Sequence, residues 1–346
     1  VAQWLKYLIA YLLPLEMLAA IHFHGWWSWV PIVFVYMLVP LGDQVLPISK
    51  ANWSDDEEQM KSRQRVFDWL LYLNLPLYLP VVAYYLFVVT HQPLALWEII
   101  GLTLSMGMMV GTIGINVAHE LGHRSKAIEQ VMAELLLTTA LYTHFIIEHN
   151  RGHHKTVATP EDPASARFGE SLYAFWWRSI IGQYRHAWDI EAKLLIKKGY
   201  SFISWSNRMI RLQCLNLGYL ALVYMVFGWQ GVGFATLVAI IGIQHLETVN
   251  YLEHYGLTRK KLDTGIYEKV SPVHSWNSDH PLGRIFLYEL SRHSDHHYKA
   301  SRKYQILRHL DNSPQLPLGY PASLLMALIP PLWFRIMNRE LTRQVG

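Results

Sequence analysis

Six windows of this chain run for close to 20 residues with almost no charge. That is the length an α-helix needs to cross a hydrocarbon core of roughly 30 Å. They fall at 4–21, 26–46, 69–89, 94–118, 212–228 and 232–252. In lipid, a backbone must pair its own N–H and C=O groups, so windows of this kind admit helices and little else. The expected fold is all-α and integral to a membrane: six transmembrane helices in a single domain over residues 1–346. Composition agrees, with 52% hydrophobic and only 16% charged residues, where a soluble chain carries about a quarter charged. The 14 Trp and 20 Tyr suit the two interfaces of a bilayer. Pro14, Pro31, Pro76 and Pro80 lie inside spans, which membrane helices tolerate. The first apolar run is too long for a cleavable leader and lacks a small-residue cleavage site.

Charge placement orients the spans. With the N-terminus cytoplasmic, the short loops 22–25, 90–93 and 229–231 face outward, and none of the 30 Lys and Arg falls in them. Apart from Lys6, the basic residues lie in 50–65, 124–211 and 259–343, so the far ends of spans four and six are expected on the cytoplasmic side. The apolar run 131–147 contains Glu134 and His144 and is expected to fold back as a re-entrant or interfacial helix rather than cross. Residues 322–337, with Pro330 and Pro331, are expected to lie near the surface in the same way. Segment 171–200 mixes Trp176, Trp177 and Ile180 with Arg178, Arg185, Lys193, Lys197 and Lys198, the composition of a helix lying along headgroups. The result is a cytoplasmic, histidine-rich helical cap on six spans.

That cap carries the chemistry. His119-Glu120-Leu121-Gly122-His123-Arg124 follows span four directly, and its two histidines are four apart, hence on one helical face. In Glu148-His149-Asn150-Arg151-Gly152-His153-His154, His149 and His153 repeat that spacing and His154 is turned about a third of the way round. Downstream, Arg292-His293-Ser294-Asp295-His296-His297 keeps three imidazoles on one side of a helix, with Asp295 placed to accept from one of them. His254 stands where span six ends. Nine histidines on one side of the membrane (His119, His123, His149, His153, His154, His254, His293, His296 and His297) exceed what one metal uses. They imply two metals with open positions. Glu120, Glu148, Asp162, Glu253, Asp279 and Asp295 lie in or near these segments and are expected to orient imidazoles, or in a lesser role to bind metal directly. His144, His245, His274 and His280 are expected to be structural, and His22, His24 and His91 fall on the opposite face.

Imidazole suits iron, zinc, copper and nickel alike. The His119–His123 spacing is also that of zinc proteases, with a glutamate as general base. No Asp lies in spans five or six to complete such a site, and seven clustered histidines would be idle. Ferritin-like di-iron proteins need two Glu-Xxx-Xxx-His motifs, whereas the boxes supply one, Glu120–His123. A metal transporter would place its ligands near mid-bilayer, not at one end of the spans. The single cysteine, Cys214, excludes an iron–sulfur cluster or rubredoxin site built from this chain alone, and no Gly-Xxx-Gly-Xxx-Xxx-Gly follows a strand. A net charge of +4 gives no sign of a nucleic-acid partner.

The boxes resemble those of the integral-membrane non-haem di-iron superfamily of desaturases, hydroxylases and alkane monooxygenases. Asn250-Tyr251-Leu252-Glu253-His254-Tyr255-Gly256-Leu257, and the continuation from Thr156 to Arg167 after the second box, are similar to the alkane 1-monooxygenase branch. With the spans included, the resemblance covers nearly the whole chain. It implies that the nine histidines bind two irons and that O2 and two electrons convert the terminal methyl of a medium-chain n-alkane to a primary alcohol. It further implies electrons from rubredoxin, itself reduced by a NAD(P)H-dependent rubredoxin reductase, an alkane drawn from the membrane lipids, and a bacterial inner-membrane location. A xylene-type monooxygenase or a fatty-acyl desaturase or hydroxylase would share the scaffold. A substrate passage is expected among the spans, with Trp26, Trp27, Tyr36, Ile113 and Leu246 as candidate lining.

Overall fold

The computed structural model describes residues 3–345. Its helices in chain order are α1 (Gln3–Phe23), α2 (Gly25–Val45), α3 (Asp55–Arg63), α4 (Arg65–His91), α5 (Leu96–Gly122), α6 (Ala127–Thr139), α7 (145–156), α8 (Leu172–Lys198), α9 (Arg208–His254), α10 (Pro281–Phe286), α11 (His293–Tyr298), α12 (Tyr320–Ala327) and α13 (Pro330–Val345). Among the described residues there is no strand, only isolated bridges at Lys261–Tyr267 and Asn277–Gln315. Five helices, α1, α2, α4, α5 and α9, are long and apolar enough to cross a membrane, and the protein is all-α and membrane-integral. The fifth is 47 residues long, about 70 Å if straight, more than twice the hydrocarbon thickness. It is not straight. Gly228 breaks it at φ 65, ψ −166, a conformation that a side chain would oppose. This is where the sequence separates its last two windows.

The chain divides into two compact units. The first comprises 3–35, Arg65–Glu148 and His186–Leu246. At its centre is α5, whose Leu102, Met106, Met109, Val110, Ile113, Val117 and Leu121 are fully buried. Glycines let α9 approach it closely: a Cβ on Gly111 would lie 2.7 Å from the His245 side chain, and one on Gly242 would lie 2.6 Å from Val110. Small residues at such a contact are how membrane helices gain van der Waals packing in the absence of a hydrophobic drive. Helix α6 has 13 residues, about 20 Å, and is too short to cross. It is fixed by Gln130, which donates to the carbonyls of Gly122 and Arg124, and by Tyr78 and Thr139, whose hydroxyls are 2.7 Å apart. Of the candidate lining residues, Ile113 is buried, but Trp26 and Trp27 are 83% and 48% exposed and face away from the protein interior.

The second unit comprises Tyr36–Gln64, His149–Arg185 and 247–345. Its core joins Leu172 and Phe175 of α8, Tyr251, Leu252 and Tyr255 of α9, Trp276, Tyr320 and Leu324 of α12, and Trp333 and Met337 of α13. Residues 322–337 are thus two helices interrupted before Pro330, contributing buried side chains and not merely a surface segment. The buried Glu247 carboxylate accepts from the Ser179 hydroxyl at 2.6 Å and from Gln183 at 2.8 Å, fastening α8 to the end of α9. Along the outer face of α8, Tyr173, Trp177, Ile181 and Tyr184 are exposed at helical spacing.

Candidate metal centre

Helix α5 carries His119 and His123 at its C-terminal end. A π-helical stretch at Val110–Ile115 precedes them, with Asn116–Gly122 returning to α geometry. The i, i+4 spacing does what the sequence requires: the two Nε2 atoms are 3.3 Å apart with the rings edge to face. Between them Glu120 is paired with Arg124 at 2.6 Å, and Arg124 also holds Asp68 at 2.9 Å. A glutamate tied to a guanidinium in this way is poorly suited to act as the general base of a zinc protease.

In the second unit the seven remaining histidines fall into two groups. His149, His154 and His296 offer ligand nitrogens within 4.8 Å of one another, and so do His153, His254, His293 and His297. The sequence paired His149 with His153 on one face, and the local geometry rearranges this. Residues His149–His153 form a π-helix, whose wider i→i+5 turn stacks residues five apart. His149 and His154 therefore face each other with Nε2 atoms 3.0 Å apart, while His153 turns to the other group, its ring 4.8 Å from those of His254 and His297. Helix α11 divides its imidazoles likewise: His293 and His297 point to one group, and His296 stacks 6.1 Å from His149 in the other. His254 completes the second group from the end of α9, its Nε2 3.3 Å from that of His293.

Acidic partners set ring orientation. Asp162 Oδ2 lies 2.9 Å from His153 Nδ1. The same carboxylate accepts from the Ser165 hydroxyl at 2.6 Å and from the Ala164 N–H at 3.2 Å. Burial alone would raise the pKa of Asp162, but His153 and the Ser165 hydrogen bond outweigh it and hold the group below the ordinary carboxylate value. An anionic Asp162 keeps the proton on Nδ1, leaving the Nε2 lone pair of His153 for a metal. Asp295 does otherwise than its position in the third box suggested. It meets Arg308 at 2.9 Å and Arg302 at 3.2 Å, not an imidazole. Sequence reasoning overlooked His309, which lies 2.6 Å from Asp279; that aspartate also pairs with Arg292, the residue preceding His293. The spacing of 30 residues between His309 and Asp279 carries no periodic signal that could have revealed the pair.

The donor set fits metal ions. Facing imidazole nitrogens in groups of three and four cannot all satisfy one another, since each contact holds at most one proton. Both ring nitrogens of His297 are buried without a hydrogen-bond partner. Burial first, then the neighbouring His293, His154, His153 and His254, push its pKa well below 6.5, so the ring stays neutral and able to coordinate. The histidines set aside as structural have ordinary neighbours. His245 contacts Thr112, His274 contacts Ser271 and Glu268, His280 contacts Ser278, and His144 lies edge-on to Tyr142. His22 and His91 contact Tyr84 and Thr90.

Histidine groups clustered in an all-α, membrane-integral chain define the class of membrane enzymes to which the desaturases belong, and the "Fatty acid desaturase" family profile matches residues 95–325. Alkane 1-monooxygenase 2 of Pseudomonas aeruginosa is 40% identical over 314 residues, covering 90% of this chain and 83% of the relative. Alkane 1-monooxygenase of Acinetobacter baylyi is 37% identical over 90% of this chain and 76% of its own length. The hydroxylase component of the Pseudomonas putida xylene/toluene monooxygenase is 29% identical over 96% and 88%. The chain belongs to the alkane 1-monooxygenase family.

Proposed function

We propose that this protein hydroxylates the terminal methyl of medium-chain n-alkanes at a di-iron site bound by His119, His123, His149, His153, His154, His254, His293, His296 and His297. The observation that carries it is the gathering of imidazoles into separate groups, each large enough for one metal, in a chain 37–40% identical to alkane 1-monooxygenases. When bound, iron supplies the oxidising chemistry of RCH3 + O2 + 2 e− + 2 H+ → RCH2OH + H2O.

The chain's own part is to bind, orient and exclude. Burial holds His297 neutral, and Asp162 sets the tautomer of His153. An alkane has no polar handle, so its affinity comes from apolar burial of about 0.8 kcal/mol per methylene, and selection of the end carbon comes from steric depth. Electrons come from rubredoxin, kept reduced by its NAD(P)H-dependent reductase. The cytoplasmic basic segments complement an acidic carrier.

The topology proposed with this function is a single domain with six crossings, the fifth and sixth separated at Gly228. The N-terminus and metals face the cytoplasm of a bacterial inner membrane. Helix α6 is re-entrant, too short to cross, and α8 lies in the interface with its exposed aromatic stripe toward lipid.

The test combines metal analysis with product analysis. Purified protein is expected to hold two irons per chain and, with rubredoxin and its reductase, to convert octane to 1-octanol. A single zinc per chain, or an acyl chain gaining a double bond, overturns the proposal. Oxidation of xylene in preference to alkanes would favour the reaction of the 29% identical relative instead.

A further inference from the structure

Some buried carboxylates in the second unit are held by hydroxyl, amide or imidazole groups, Glu247 by Ser179 and Gln183 and Asp162 by His153. Others have guanidinium partners: Asp279 lies against Arg292 and Arg284, and Asp295 against Arg302 and Arg308. Glu253 does not. It is 1% exposed, and among the described residues its ion-pair contact is with His293 alone. Its Oε1 accepts from the Tyr320 hydroxyl at 2.9 Å. Its Oε2 lies 3.2 Å from His293 Nε2, the same nitrogen that is 3.3 Å from His254 Nε2. The free side of the carboxylate is therefore turned toward the nitrogens that face one another in the group of four. For this carboxyl to ionise where it is buried, a cation beside it must offset the desolvation.

We propose that Glu253 is a tenth metal donor, an oxygen ligand to the metal held by His153, His254, His293 and His297, with Tyr320 as its positioning residue. This rests on the two-metal proposal above and extends its ligand set. The hydroxyl of Tyr320, which is 1% exposed at the start of α12, fixes Oε1 and thereby aims Oε2. A carboxylate oxygen is a harder donor than imidazole and favours iron over softer metals. It also makes the two metals chemically unequal, one with a charged ligand that lowers its net charge. The sequence distance of 67 residues between Glu253 and Tyr320 hides the pair from any motif.

The test uses the full chain in detergent, loaded with cobalt(II), whose d–d absorption weakens as coordination rises from four to five. Wild type is expected to bind two metals per chain. Glu253→Gln should retain one and bind the other about 10- to 100-fold more weakly, with stronger d–d bands from the site that lost its oxygen. Tyr320→Phe keeps the carboxylate and should give a smaller loss of affinity, and Glu253→Asp a partial return. Unaltered bands and affinity in Glu253→Gln, with two metals still bound, overturn this inference alone. Wild type binding fewer than two metals overturns the proposal beneath it. Should Glu253→Gln fail to fold, Tyr320→Phe decides: wild-type metal affinity in that variant refutes the positioning role.

Discussion

Replacing Asp162 by Asn isolates what a single negative charge does at the site. The carboxylate makes three contacts: Oδ2 with His153 Nδ1 at 2.9 Å and the Ser165 hydroxyl at 2.6 Å, and Oδ1 with the Ala164 N–H at 3.2 Å. An amide has one oxygen and cannot serve both sides. With its oxygen toward His153, its NH2 opposes the Ala164 N–H, and two buried donors in contact cost about 1–3 kcal/mol. Flipped, the NH2 points at His153 Nδ1, which must then accept. The ring proton moves to Nε2, and the lone pair meant for metal is lost. Either arrangement weakens the second metal by about 10- to 100-fold, or about 1.4–2.7 kcal/mol. Competition with a graded chelator, read as metal per chain, measures this directly. An Asp162→Asn protein that holds both metals as tightly as wild type, at wild-type turnover, would refute the argument that Asp162 sets the His153 tautomer.

Ligand removal is expected to be more severe: His123→Ala, His153→Ala or His296→Ala should lower bound iron and abolish hydroxylation, as judged by metal analysis beside gas chromatography of the alcohol. Acid should destabilise the metal-depleted protein. His297 has a folded-state pKa well below 6.5 and an unfolded value near 6.5, so unfolding takes up a proton. Stability is therefore retained above about pH 6.5 and falls as pH drops toward the folded pKa. A melting series from pH 8 to pH 4 should show this fall, and His297→Phe should flatten it. Packing of α5 on α9 predicts that Gly111→Ala, whose Cβ would meet His245 at 2.7 Å, costs about 1–3 kcal/mol. Gly233→Ala, with nothing within 4 Å, should be neutral or slightly stabilising in the same thermal scan.

Much of the architecture was legible because lipid enforces a simple rule. The windows at 4–21, 26–46, 69–89 and 94–118 match α1, α2, α4 and α5 within a few residues. Gly228 interrupts α9 at the edge of the fifth window. The exposed Trp26 and Trp27 went astray as lining candidates because an aromatic at a span end looks the same whether it faces lipid or a passage. At the site, the grouping of histidines was visible but their division was not. Helical arithmetic assumes 3.6 residues per turn, and the π-helix at His149–His153 breaks that assumption. Asp295 was assigned to an imidazole because its neighbours in sequence are histidines. Arg302 and Arg308, which claim it, come from the segment that follows α11. Tyr320 and His309 were invisible for the same reason: their partners are brought to them by the fold.

The widened turn at the second box has a consequence for any attempt to transplant it. Because the turn accommodates an extra residue, the order of imidazoles along the chain is not their order in space. Regularising it to an α-turn with no residue removed would bring His153, four residues on, opposite His149 in place of His154, while leaving every histidine present. A grafted box copied letter for letter onto a regular helix would then deliver its donors to the wrong ion, so the backbone irregularity must travel with the side chains.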